Sequence, residues 1–259
     1  MKNLYLTLTA ALLATFTQLA SATIINDDYV GARYYASWGD SIGNSTFEIH
    51  NMDVTLTGTI LNVQINTNYA GHTGTLGTGY GDLFLSSSWN PVGDAPYITD
   101  DHESGTNWTY GISLDGDIYN GDNLVKNSST RFISNAGGTT SLYELNGSND
   151  QDAFLSENLT SGTFRNGQEV VIDKNSSTTV DTDINGTWSI SAIDANDFIS
   201  FSIDLAGTTL LNGDEIALHW GMTCGNDTIE GAYAVPEPAI LALLAIGLVG
   251  IGVSNRKKL

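Results

Sequence analysis

Basic residues are scarce in this sequence of 259 residues. Nine lysines and arginines stand against 29 aspartates and glutamates, which gives a formal net charge of −20 at pH 7. Four of the nine basic residues lie in the terminal segments, so the chain between them carries about −23 or −24. Nucleic acids and anionic lipid surfaces are bound through clustered lysine and arginine side chains. The charge therefore argues against nucleic acid as a partner and is typical of outer-surface proteins or of proteins that recruit divalent cations.

Cysteine is almost absent as well, since Cys224 is the only one in the chain. A single cysteine cannot form a disulfide within the chain. The fold must therefore be stabilised by its core, and about 213 residues between the terminal segments are enough to bury one.

Sustained helical periodicity is also missing between the ends. Apolar and polar residues alternate in Phe47 to Tyr69, and Gly58 marks a turn or bulge within that stretch. The same alternation recurs in Thr187 to Ile193, Phe198 to Leu205 and Glu215 to Met222. Asn-Gly pairs, such as the one at positions 185 and 186, favour tight hairpin turns. These patterns predict one all-β domain over residues 23–233, an antiparallel β-sandwich of jelly-roll type.

Long hydrophobic runs occur only at the two ends. Residues 1–22 combine Lys2, an apolar middle and a closing Ala20-Ser21-Ala22, which predicts the helix of a cleavable signal peptide. Ala239 to Val253 is apolar throughout, about 22 Å long as a helix and at the short end of a bilayer span. The basic residues after it predict a transmembrane helix whose end stays cytoplasmic while the body lies outside.

The C-terminal residues 234–259 also resemble a known sorting signal. Pro236-Glu237-Pro238, the apolar run and Arg256-Lys257-Lys258 follow one another as in the PEP-CTERM signal of Gram-negative bacteria that make exopolysaccharide. The resemblance implies recognition by exosortase, a membrane transpeptidase-like enzyme that cuts near Pro-Glu-Pro. It further implies transient inner-membrane anchoring, then delivery to the cell surface or the extracellular matrix. A plain membrane anchor is the alternative, because it needs no particular tripeptide.

The stretch before the tail is similar to exosortase-dependent surface proteins without an assigned activity. That similarity rests on the pattern H-W-x-x-x-C-G-N-D-x-I-x-G, which begins at His219 and ends at Gly231. It strengthens the sorting interpretation and implies no reaction.

One candidate calcium segment lies near residue 181. Asp181, Asp183 and Asn185 alternate before Gly186, as at the start of an EF-hand loop, but position twelve is Ala192 in place of glutamate. We favour a hairpin turning through Asn185 and Gly186, with weak calcium binding as the alternative.

A second acidic segment offers Asp115, Asp117, Asn120 and Asp122 within eight residues. Its glycine falls one place late for an EF-hand, and position twelve is Lys126. An acidic turn between strands is the favoured interpretation, with calcium again the alternative. No other cofactor is expected.

Cys224 lies close in sequence to His219 and Asp227, a set that resembles an activated nucleophile. The sequence identifies no oxyanion donor or second catalytic element. A buried thiol is therefore the favoured interpretation, and a reactive thiol the alternative.

These observations predict a non-enzymatic, exported surface or biofilm-matrix protein. One alternative is a carbohydrate-binding module, in which aromatic rings stack on sugars. The candidate rings are Tyr34, Tyr35, Trp38, Trp89, Tyr97, Trp108 and Tyr110, although such residues also fill sandwich cores. The other alternative is a polysaccharide-active enzyme, which requires two facing carboxylates in a cleft.

Overall fold

A computed structural model describes residues 21–31, 40–72, 78–114, 119–120, 123–124, 137–159, 165–191 and 197–236. Residues Ala22–Val235 form one compact unit. The predicted signal-peptide helix and C-terminal transmembrane helix lie outside the described residues. Within those ranges, no helix has the length and apolar character needed to cross a membrane.

The described chain consists mainly of short strands. They are β1 (Ser21–Asn26), β2 (Ile49–Thr57), β3 (Ile60–Thr67), β4 (Leu83–Ser86), β5 (Tyr110–Leu114), β6 (Tyr119–Asn120), β7 (Asn123–Leu124), β8 (Gly137–Leu145), β9 (Ala153–Leu155), β10 (Glu169–Ile172), β11 (Thr179–Ser191), β12 (Phe198–Asp204), β13 (Glu215–Gly221) and β14 (Thr228–Ala234). Two single-turn helices, α1 (Asn149–Asp152) and α2 (Ser156–Leu159), flank β9. Short 3-10 turns occupy Ser45–Phe47 and Thr209–Asn212.

Ten of these strands form one antiparallel sheet in the order β1-β2-β3-β12-β11-β8-β5-β4-β13-β14. The pairs β9–β10 and β6–β7 are separate. The all-β antiparallel class is therefore confirmed. The jelly-roll order is not confirmed, because the ten strands share one continuous ladder instead of dividing into two facing sheets.

In β2, β3 and β12 the alternation expected from the sequence decides which face is buried, whereas β13 is buried on both faces from Ile216 to Gly221. In β2 and β3 the inward residues include Val54 and Val63, which are direct partners in the ladder. Gly58 adopts φ +64 in the turn between these strands, and Ile60 points outward at 45% exposure. The inner core continues through Phe201 on β12, as the period of two requires.

The outer face of the sheet is also covered around β4, β5 and β13. Ile172 of β10 packs there in a second apolar cluster with Phe84 and Trp108. Gly111 permits this contact, since a Cβ at that position would lie 2.4 Å from Cδ1 of Ile172. Buried Asp82 joins the layers by accepting hydrogen bonds from the amides of Leu114 and Ile172. Many of the buried polar side chains of the domain lie on this covered face.

The two edge strands of the sheet approach each other, so the sheet is nearly closed. Ile25 of β1 packs against Gly231 of β14, where a Cβ would lie only 2.5 Å from Cγ2 of Ile25. We call this junction of β1 and β14 the seam.

The prediction of a hairpin turn at Asn185-Gly186 is wrong. Both residues lie inside β11, which pairs with β8 on one side and β12 on the other. The ladder instead shifts register between Asp181 and Asn185, and Asp183 takes the positive φ of 60°. The local turn signal is thus absorbed by a bulge in a long central strand.

Candidate functional site

A cleft of about 570 Å³ opens at the seam. Its lining includes backbone and side chains of β1 and β14, together with the half-buried rings of Trp89 and Tyr97. These rings meet edge to face with centroids 5.4 Å apart. Tyr29, Asp28 and Glu230 add polar groups to the lining. The cleft therefore combines aromatic surface with hydrogen-bonding groups, as small-ligand sites commonly do.

Glu230 lies in the lining of this cleft but is only 5% exposed. Its Oε1 accepts hydrogen bonds from Trp89 Nε1 at 2.8 Å and from Thr106 Oγ1 at 3.2 Å. Its Oε2 lies 3.2 Å from Nδ1 of His219, which faces it from β13. Both carboxylate oxygens are thus engaged by the protein.

His219 is held as a cation by its neighbours. Its Nε2 lies 2.8 Å from the carbonyl oxygen of Glu169, so both ring nitrogens face acceptors. Both positions must donate, which only the imidazolium form can do. Burial lowers the pKa of His219, but the hydrogen bond and negative charge of Glu230 and the charge of Glu169 outweigh it, and the pKa is raised.

Two more acids lie behind the cleft. Burial raises the pKa of Glu169 to about 8, although the positive charge of His219 opposes the shift. Burial also raises the pKa of Asp100 to about 6, despite hydrogen bonds from the Val92 amide at 2.9 Å and Tyr29 Oη at 3.1 Å. The cleft is thus backed by a buried network of acids around one histidine.

A second acidic cluster forms from distant parts of the chain. Asp27, Asp40 and Asp227 each place a carboxylate oxygen within 4.8 Å of the other two. Asp227 is fully buried, accepts a hydrogen bond from the Ile49 amide at 2.7 Å and lies 3.8 Å from Nη1 of Arg165. Burial, together with the charges of Asp227 and Asp40, raises the pKa of Asp27 to about 10. We call these three aspartates the aspartate triad, and they are the cation ligands that the geometry of the described residues offers.

The calcium segment at Asp181, Asp183 and Asn185 is placed on the bulge of β11, with all three residues exposed. Asp181 Oδ1 accepts a hydrogen bond from the Asp183 amide, and Asn185 Oδ1 accepts one from Ser141 Oγ. The side chains thus contact the local backbone and β8. In the second segment Asn120 ends β6, and Asp115, Asp117 and Asp122 lie outside the described residues.

Cys224 is a buried free thiol, 3% exposed. Burial raises the pKa of the thiol, so it stays protonated at neutral pH. His219 lies on the covered outer face and pairs with Glu230, whereas Cys224 belongs to the inner core. The structure therefore does not assemble a Cys-His pair.

Sequence reasoning missed the aspartate triad, Arg165 and the pairing of His219 with Glu230 beside Glu169. A signal for the triad existed in Arg165, one of only five basic residues in a strongly acidic body. Asp227 also stood in the stretch before the tail, next to Asn226. Nothing in the local spacing of Asp27 or Asp40 could have shown their partners.

Of the sorting-signal residues, Pro236 is described and exposed. Glu237, Pro238, Arg256, Lys257 and Lys258 lie outside the described residues. A family profile, described as the PEP-CTERM protein-sorting motif, matches residues 234–257. The match supports an exported protein that an exosortase recognises and sorts, with membrane-transient processing before surface delivery. Neither curated proteins nor solved structures yielded a match to the chain.

Proposed function

We propose that this protein is a non-enzymatic component of the cell surface or of the exopolysaccharide biofilm matrix. The observation that carries the proposal is the sorting motif at residues 234–257, which starts at the last residue of β14. The acidic β body is then the cargo, and the motif is its delivery signal. Such an arrangement requires no catalytic activity of the β domain itself.

The state of the reactive side chains supports a non-enzymatic body. His219, Glu230 and Cys224 are each at most 5% exposed. His219 and Glu230 are bound to each other and to neighbouring protein groups. A general acid or base must reach the substrate proton directly or through one water, and the hydrogen bonds of His219 and Glu230 are already made to protein groups.

Delivery is tested by changing Pro236-Glu237-Pro238 to three alanines in the native host. Mass spectrometry of the C-terminus and cell fractionation should show the unaltered protein shortened and at the surface or in the matrix. The variant should keep its tail and stay in the inner membrane. Asp94→Ala, an exposed change in the body, serves as the control and should be processed normally. Normal processing of the triple-alanine variant would show that Pro-Glu-Pro is not the signal, and an unaltered protein that keeps its tail in the membrane would leave only a plain anchor.

Carbohydrate binding is a second candidate, and the cleft at the seam favours it. The edge-to-face pair of Trp89 and Tyr97 offers ring surface beside Asp28, the combination that holds sugars. An extended aromatic row is not present in the described residues, because Trp108 and Tyr110 are buried. Tyr34, Tyr35 and Trp38 lie outside them.

A glycan array with the full chain, including exopolysaccharide of the host, tests this candidate. Tyr97→Ala should abolish any signal that the cleft produces. Tyr143→Ala removes a half-buried ring of the same size outside the cleft lining and should leave the signal unchanged. Absence of a ligand, or equal loss in both variants, would remove the candidate.

A polysaccharide-active enzyme would have to use Glu230 and the acids behind it. The observation in favour of an enzyme is that the pKa values of Glu169 and Asp100 are raised. We expect no release of reducing ends from host polysaccharide by the full chain. Release that is lost in Glu230→Gln would overturn the non-enzymatic proposal.

A further inference from the structure

We propose that the aspartate triad of Asp27, Asp40 and Asp227 binds one calcium ion. This site differs from both acidic segments that the sequence suggested. Its ligands come from the end of β1, from the segment before β2 and from the turn between β13 and β14. Calcium would therefore join three parts of the chain that lie far apart in the sequence.

The distances within the aspartate triad suit a single ion. Calcium binds oxygen at about 2.3–2.6 Å, so two oxygens on the same ion lie no more than about 5 Å apart. The three carboxylate oxygens lie within 4.8 Å of one another. All three ligands are hard oxygen donors, which calcium prefers over the nitrogen and sulfur ligands of zinc.

Buried oxygens without donors provide an independent indication of a missing ligand. Within the described residues, both carboxylate oxygens of Asp27 and one of Asp40 are buried and have no hydrogen-bond partner. Buried polar atoms are nearly always paired, so several such acceptors in one place indicate a missing partner, and a cation is one that fits acceptors alone.

Asn226 and Ser41 extend this set of acceptors. Asn226 is 3% exposed, and its Oδ1 has no hydrogen-bond partner among the described residues. Its Nδ2 lies against Gly43, on the segment that carries Asp40, and its carbonyl oxygen accepts from the Ile42 amide. The Oγ of Ser41 is likewise buried without a partner in the described chain. Calcium takes 6–8 oxygens, and one oxygen from each aspartate leaves positions for further ligands, for which these two groups, adjacent in sequence to Asp227 and Asp40, are the candidates.

The charge balance also suits a divalent ion. When all three aspartates ionise to bind a cation, they and the single guanidinium of Arg165 carry a net charge of −2 in a buried place. Glu48 adds to the negative potential there. Like charges at this separation repel strongly in the protein interior, and one Ca²⁺ would neutralise them.

A shared proton is the alternative to the ion. Asp27 and Asp40 are close enough to hydrogen-bond when one of them is protonated. Such a pair would need no metal, and it predicts no response to calcium. The two accounts therefore separate in a binding experiment.

The test uses the purified full chain after removal of metals with EDTA. Isothermal titration with CaCl₂ should give a saturable site, and the melting temperature should rise by about 5–10 °C at a hundredfold excess over Kd. Asp27→Asn removes one ligand charge and nearly keeps the size of the side chain, so it should fold and bind at least about tenfold more weakly. Asp183→Asn removes the same charge on the exposed bulge of β11 and should bind like the unaltered protein.

Each other outcome would overturn the proposal. Neither heat nor a shift in melting temperature with CaCl₂ would favour the shared proton. Unchanged affinity in Asp27→Asn would place any calcium elsewhere in the chain. Equal weakening in Asp27→Asn and Asp183→Asn would show a general effect of net charge.

Discussion

His219 and Glu230 are direct partners across β13 and β14, with Nδ1 of the histidine 3.2 Å from Oε2 of the glutamate. The pair is almost completely buried. The Glu169 carbonyl accepts from Nε2 of His219, and the Trp89 indole donates to Oε1 of Glu230. A buried charge pair of this kind holds strands in register, because a shifted ladder would bury each charge alone.

Removing the histidine should therefore be costly. In His219→Leu the Glu230 carboxylate loses its cation in a buried place, and the free energy of unfolding should fall by about 3–5 kcal/mol. Urea unfolding at neutral pH measures the loss. His50→Leu removes an exposed histidine and should cost about 0.5 kcal/mol or less. Similar losses of unfolding free energy in the two variants would show that the His219–Glu230 pair does not stabilise the fold.

Stability should fall as the pH rises from about 4.5 to about 8. The pKa of Glu169 is about 8 in the folded protein against 4.5 ordinarily, so the folded state holds the proton more tightly. Stability is then greatest at the acidic side and declines across this window. The raised pKa of His219 acts with the same sign, since its contribution is lost as the imidazolium deprotonates.

Glu169→Gln isolates the carboxyl in this effect. Each unit of pKa difference is worth about 1.4 kcal/mol, so the substitution should flatten the pH profile by a few kcal/mol at most. Urea midpoints at about pH 5 and about pH 8.5 give the comparison. Glu103→Gln, an exposed control, should retain the unaltered profile. An identical slope in Glu169→Gln would mean that another group carries the pH dependence.

Much of the fold could be predicted from period-two alternation, as β2, β3 and β12 show, whereas β13 forms the expected strand but is buried on both faces. Local turn chemistry was less informative. Asn185 and Gly186 favour a turn in isolation, but their pairing with Ser141 and Thr140 of β8 keeps them in the strand. Tertiary pairing outweighs a turn preference that involves only two residues.

The candidate sites could not be predicted for a different reason. Asp27 and Asp227 meet only because the sheet curls until β1 reaches β14, and no local pattern records that curl. The same closure creates the cleft beside Glu230. Long-range geometry, and not residue spacing, thus determines both places.

The seam depends on the small size of Gly231. Gly231→Ala would place a Cβ 2.5 Å from Cγ2 of Ile25, so the side chain of Ile25 must move. We expect a loss of about 1–3 kcal/mol in the free energy of unfolding. The double variant with Ile25→Ala should lose less than the sum of the single changes, because the clash disappears. If the losses in the free energy of unfolding were additive in this double-mutant cycle, Gly231 and Ile25 would not be in direct contact at the seam.

Cys224 should be inert in the folded protein. Burial raises the pKa of its thiol and shields it, so a thiol reagent should react slowly with the native chain and fully after denaturation.

Cys224→Ala removes one buried sulfur and should lower the free energy of unfolding by about 1–2 kcal/mol. If the residue is only a core group, surface delivery of Cys224→Ala in the native host should equal that of the unaltered protein. Cell fractionation and mass spectrometry measure this directly. Loss of delivery despite a folded body, with rapid labelling of the native thiol, would instead assign Cys224 a covalent role in attachment.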